Sequence, residues 1–162
     1  MPTSNFERMI NLAVETFAAH NDPNQLDVNE DVIKQLEQLH PATLSEQNES
    51  DGPVVWILLI PTIAELMNDF IVEKISESEL LNKTPLNIKY DSLYLCSALV
   101  LPQFRRKGLA KKIALEAIQK IRIDHPIKNL FTWNFSMEGA LLSESIAKQE
   151  NIPLLHRERK IE

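Results

Sequence analysis

The segment Leu99-Val100-Leu101-Pro102-Gln103-Phe104-Arg105-Arg106-Lys107-Gly108-Leu109-Ala110-Lys111 runs from an apolar strand end through a basic turn into the start of a helix. Pro102 ends the strand, because proline has no N–H to donate to a ladder. Leu109, Ala110, Ile113, Ala114, Ala117, Ile118 and Ile121 then recur as one apolar stripe, which predicts a helix over 108–122. The first-turn amides of a helix lack intrahelical partners and carry the positive end of its dipole. A phosphate or pyrophosphate placed there accepts several N–H groups at once. Gly108 permits close backbone approach, Ala110 keeps the next turn small, and Arg105, Arg106 and Lys107 add attraction for a further phosphate.

Working outward, 93–101 is a strand, and Asp124-His125-Pro126 closes the helix that follows it. A third strand is expected over 130–135, and Ser136 caps a last helix over 137–149. Residues 153–156 make a short final strand. Upstream, Val54-Val55-Trp56-Ile57-Leu58-Leu59-Ile60 reads as a strand buried on both faces. Ser4-x-x-Glu7, Thr62-x-x-Glu65 and Ser76-x-x-Glu79 are capping-box patterns. They open helices through Ala19, over 63–75 and up to Thr84-Pro85, although Phe70-Ile71-Val72 is also compatible with a strand. A second helix covers 29–39, and 40–53 reads as a polar linker ending in the turn Asp51-Gly52-Pro53. Residues 85–91 form a loop. Strands separated by helices imply an α/β fold with a partly parallel sheet.

The chain has 162 residues, which implies one domain over 1–162, able to bury about 68–70% of its unfolded surface. The three glycines, Gly52, Gly108 and Gly139, exclude both a Gly-x-Gly-x-x-Gly dinucleotide loop and a Walker-type phosphate loop. The four histidines are scattered, so no metal site is expected. One cysteine, Cys96, fits a reducing, cytoplasmic setting. No apolar run approaches the roughly 20 residues of a membrane span, and the polar N-terminus does not read as a signal peptide. The net charge of −6 argues against a nucleic-acid partner. Its distribution is uneven: residues 1–97 carry a net −11 and residues 98–162 a net +5. A local basic site in an acidic chain points to a small anionic ligand.

Arg105-Arg106-Lys107-Gly108-Leu109-Ala110 resembles the Arg/Gln-x-x-Gly-x-Gly/Ala signature of the GNAT-type N-acetyltransferases. The likeness is close from Tyr94 to Ile121 and holds in outline over 130–149. It implies a GNAT-like α/β fold, a central mixed twisted sheet flanked by helices. It implies acetyl-CoA, or another acyl-coenzyme A, as co-substrate, with its pyrophosphate on the amides of Arg105, Arg106, Lys107, Gly108, Leu109, Ala110 and Lys111. The pantetheine arm would run alongside the main chain of Leu99 and Val100. The acyl group would pass to a primary amine, on a small molecule or a protein, by direct attack in a ternary complex. Apart from the resemblance, exposed apolar edges of a small sheet are compatible with a homodimer, and the sequence does not fix the oligomeric state. The other reading is a module that binds the coenzyme without turning it over, as a sensor or interaction protein.

The chain departs from that family where protons must move. The family's tyrosine on the last helix aligns with Ser143, a poor acid of short reach, and its asparagine aligns with Met137, with Asn134 and Ser136 nearby. The two tyrosines, Tyr90 and Tyr94, lie elsewhere. No carboxylate falls inside the 93–101 strand. The candidate catalytic groups are therefore Asn134, Ser143 and Glu138, with Asp91 a further candidate base; Asp91 and Glu138 read first as solvated loop and helix-start acids, and Asn134 equally as a cap or loop residue. Cys96 reads first as a small buried apolar group, and Trp56 and Trp133 as core.

Overall fold

The computed structural model describes residues 5–20, 30–134 and 136–157. Helices α1 (Asn5–His20) and α2 (Glu30–Leu39) come first, and the cap and turn expected at Ser4 and Asn21-Asp22-Pro23-Asn24 lie outside the described residues. Strands β1 (Leu44–Glu49), β2 (Gly52–Thr62) and β3 (Ser92–Val100) follow, with α3 (Ala64–Ile71) and α4 (Glu77–Lys83) between β2 and β3. A 3-10 turn at Pro102–Phe104 leads into α5 (Leu109–Asp124), β4 (Asn129–Thr132), α6 (Met137–Glu150) and β5 (Leu154–His156).

The five strands form one mixed sheet in the order β1-β2-β3-β4-β5. The pairs β1–β2 and β2–β3 are antiparallel, while β3–β4 and β4–β5 are parallel. The parallel half requires crossovers, which α5 and α6 supply. An α/β fold with a mixed sheet flanked by helices is thus present.

Residues 40–53 are not a linker. Leu44–Glu49 is an edge strand whose residues register from Leu58 back to Gly52. An edge strand with one solvated face needs no apolar run, so polar Ser45, Glu46, Gln47 and Asn48 conceal it. The long apolar strand continues through Pro61 to Thr62. Leu59 N donates to Thr43 O at 2.8 Å, so the missing N–H of Pro61 faces the same side, where β1 no longer runs.

Thr62 does not cap α3. It ends β2, its hydroxyl pairs with that of Thr84 at 2.8 Å, and Ile63 at the N-cap makes no side-chain bond. The segment is nonetheless helical, ending at Ile71 with Glu73 left-handed at φ 66°, because Leu66, Met67 and Phe70 pack inward. The Ser76–Glu79 capping box forms in full. Phe70, Tyr94 and Phe131 meet in one aromatic cluster, with Tyr94 stacked on Phe131 at 5.0 Å. The third strand stops at Thr132, shorter than its apolar run suggests.

Candidate functional site

The register of β3 with β4 covers Ser92 to Leu95 on one side and Asn129 to Thr132 on the other. Beyond Leu95, β3 runs on to Val100 paired with β2 alone. A bulge helps turn it: Leu59 registers with Leu95 and Leu58 with Ser97, leaving Cys96 as the extra residue. The separation of β3 from β4 opens a cleft of about 700 Å³, roofed by α5 and α6.

Leu101 N donates to Val54 O at 3.0 Å. Alternation along the strand therefore turns the main chain of Leu99 toward β2, and that of Ala98 and Val100 toward the opening. Consistent with this, Val100 O accepts from Arg105 Nε at 3.0 Å. Leu99, Val100, Arg105, Arg106, Gly108, Leu109, Ala110 and Lys111 all line the cleft. Lys107 does not, and its Nζ sits 5.5 Å over the Phe104 ring.

Gly108 caps α5 at φ 74°, and Arg106 is also left-handed at φ 64°. Left-handed residues in such a turn gather successive N–H groups into a concavity that suits an anion. A Cβ at Gly108 would meet nothing within 4 Å, so the backbone conformation rather than crowding calls for glycine here. The Arg105 and Arg106 side chains are exposed, which leaves two cations at the mouth.

Of the catalytic candidates, Asn134, Glu138 and Ser143 line the same cleft. Asn134 Oδ1 accepts from Thr132 Oγ1 at 3.1 Å, and its Nδ2 lies 3.4 Å from His156 Nδ1. Ser143 is buried with Oγ donating to Gly139 O at 2.9 Å, a local helix bond. Glu138 is exposed in the first turn of α6. Asp91 does not join them. It precedes β3 at the opposite end, where its carbonyl accepts from Lys128 N and Asn129 N and its carboxylate from Ser92 Oγ. Trp56 reaches across the edge to Glu46 at 2.9 Å, outside the cleft, whereas Trp133 is buried and lines it.

Sequence reasoning missed Glu77. This carboxylate, at the first position of α4, is only 5% exposed and lines the inner end of the cleft. Its Oε2 accepts from Tyr94 Oη at 2.6 Å and from Cys96 Sγ at 3.5 Å. Burial, followed by the Glu77 charge, raises Tyr94 well above the usual phenol range, although the Arg157 guanidinium pulls the other way. Burial and the same carboxylate hold Cys96 as a thiol. Arg157 is buried between the Phe70 and Trp133 rings, 4.7 and 4.5 Å from their centroids, and donates to Phe70 O and Ile75 O. It thereby ties the turn that starts α4 to the end of the sheet. The Ser76 capping box was the available signal for Glu77, since it places an acid in the first helical turn. Nothing local shows that this turn meets β3.

Among the described residues, no three metal-ligating side chains converge, and no helix is long and apolar enough to cross a membrane. No protein family, curated protein or solved structure matches this chain.

Proposed function

We propose that this chain is a GNAT-type N-acyltransferase, which binds an acyl-coenzyme A in the β3–β4 cleft and transfers the acyl group to a primary amine. The observation that carries this reading is a coincidence of place. The parallel pairing stops at Leu95–Thr132, and the strand left open leads into the left-handed Gly108 cap of α5. One cleft therefore offers amides for a pyrophosphate and a strand edge for an amide-bearing arm.

In this reading the pyrophosphate takes the N–H groups around Gly108 and the first turn of α5, with Arg105 and Arg106 alongside. The pantetheine amides pair with the outward main-chain groups of Ala98 and Val100, which requires Arg105 to release the Val100 carbonyl. The thioester then lies near Leu95 and Thr132. Positioning and desolvation supply most of the rate, by direct attack of the amine. A second reading, coenzyme binding without turnover, draws support from Ser143, whose hydroxyl is committed to Gly139 O.

Calorimetric titration with acetyl-CoA, coenzyme A and desulfo-coenzyme A tests the common core of both readings. Micromolar binding of all three is the expected result, and binding of none would overturn them together. Transfer to an amine panel above the uncatalysed rate separates the enzyme from the binding module.

A further inference from the structure

We propose that His40 and His125 form a proton-sensitive clasp at the far end of α5 from the cleft, closed while both imidazoles are neutral and opened locally when His125 takes up a proton. The inference is independent of the acyltransferase reading. Three connections meet at this point. His40 lies between α2 and β1, Asp124 ends α5 with His125 as its C-cap, and Lys89 and Tyr90 lead into β3.

The hydrogen bonds fix where the ring protons sit. Ala42 N lies 3.0 Å from His40 Nδ1, and Tyr90 N lies 3.3 Å from His125 Nδ1. A backbone N–H can only donate, so each Nδ1 accepts and each neutral ring carries its proton on Nε2. The Nε2–H of His40 then donates to Asp124 Oδ2 at 2.7 Å. The two imidazoles meet edge to face with centroids 5.9 Å apart, and the Tyr90 ring lies 4.6 Å from that of His125. Lys89 Nζ donates to Asp124 O and Tyr90 Oη to Pro85 O, which draws the 85–90 loop onto the end of α5.

A proton on His125 Nδ1 turns that acceptor into a donor. It then faces the N–H of Tyr90, a residue only 2% exposed, and the amide is left without a partner unless the loop moves out to water. His40 keeps a carboxylate partner in either state, so the weak point is His125. The charged groups facing His125 come from all three connections: His40, Lys89 and Asp124. Burial, then His40 and Lys89, disfavours its protonation, against the Asp124 carboxylate. An opened loop that hydrates the ring binds the proton more tightly, so acid favours it. Asp91 N stays bonded to Thr62 O, and Asp91 O to Lys128 N and Asn129 N, which confines the opening to the residues before β3.

The test is amide hydrogen exchange of the full chain by NMR from pH 5 to 8. Rates are expressed as protection factors, which removes the intrinsic pH dependence of exchange, and imidazole nitrogen shifts at pH 8 report the tautomers. Both rings should be the Nε2–H form. Protection of the Tyr90 amide should fall by up to about tenfold per pH unit in the window just below 6.5, the usual histidine value, while the β3 amides keep theirs. In His125→Asn the side-chain Oδ1 stands in for Nδ1 and accepts at every pH, so Tyr90 protection should lose its pH dependence. An Nδ1–H tautomer at His125, a flat wild-type profile, or a fall that persists in His125→Asn would overturn the clasp. So would an equal loss across all β3 amides, which is global unfolding. If His125→Asn does not fold, the wild-type tautomer and the contrast between Tyr90 and β3 decide the matter.

Discussion

Tyr94 Oη donates to Glu77 Oε2 at 2.6 Å, joining the middle of β3 to the first turn of α4. The bond helps a carboxylate survive burial here. Glu77 accepts from a phenol and a thiol, and it sits at the positive end of a helix. Tyr94 is in turn clamped by Phe70 and Phe131, so its hydroxyl has one direction to point.

Removing that hydroxyl should cost stability. In Tyr94→Phe the buried carboxylate loses a donor, which amounts to about 1–3 kcal/mol. Urea unfolding should show a lower midpoint with an unchanged slope, and an unshifted midpoint would mean that the bond carries no net energy.

Gly108→Val separates ligand binding from folding. The β-branched residue is strained at φ 74° by about 1–3 kcal/mol, but its Cβ meets no neighbour within 4 Å. The variant should therefore melt lower yet remain folded, and lose coenzyme A binding in calorimetry because its side chain enters the anion concavity. Retained affinity would count against the loop as the pyrophosphate site.

Arg157→Leu should be among the more damaging core changes. It strips donors from the Phe70 and Ile75 carbonyls and breaks two ring stacks. Phe70 O keeps its bond from Glu73 N, while the buried Ile75 carbonyl left without this donor costs about 1–3 kcal/mol. Denaturant melts measure the loss, and a variant as stable as the wild type would refute the tie between β5 and α4.

Acidification should weaken the fold in two stages. Burial lowers the pKa of His125, so the folded state resists its protonation. Stability present above pH 6.5, the usual histidine value, should fall as the pH drops through the window just below it. Asp124 is also lowered, chiefly by its 2.7 Å bond from His40. Its contribution is present above about pH 3.9 and is lost as the pH falls further, through the folded pKa. Melting temperature against pH for wild type and His125→Gln checks the first stage, which the variant should lack.

Several elements could be read directly from neighbouring residues. The Ser76–Glu79 box, the Ser136 cap and the apolar stripe of α5 each act within one or two turns, and each stands where the pattern put it. The Leu44–Glu49 strand could not be read this way. Its stability comes from a ladder with β2, and its own residues are mostly polar. Thr62-x-x-Glu65 matched a cap but lost to the ladder, because Thr62 gains more as the end of β2, bonded to Thr84.

The basic turn, the need for glycine at 108 and the helix behind them belong to the sequence, since an unpaired first-turn amide and a left-handed φ are local properties of a short peptide. The parting of β3 from β4 at Leu95–Thr132 and the arrival of Glu77 beside it belong to the tertiary structure. Both depend on register and on Arg157 anchoring a turn more than 80 residues away in the chain. Interactions of that range are decided by how whole elements pack, which no window of a few residues contains.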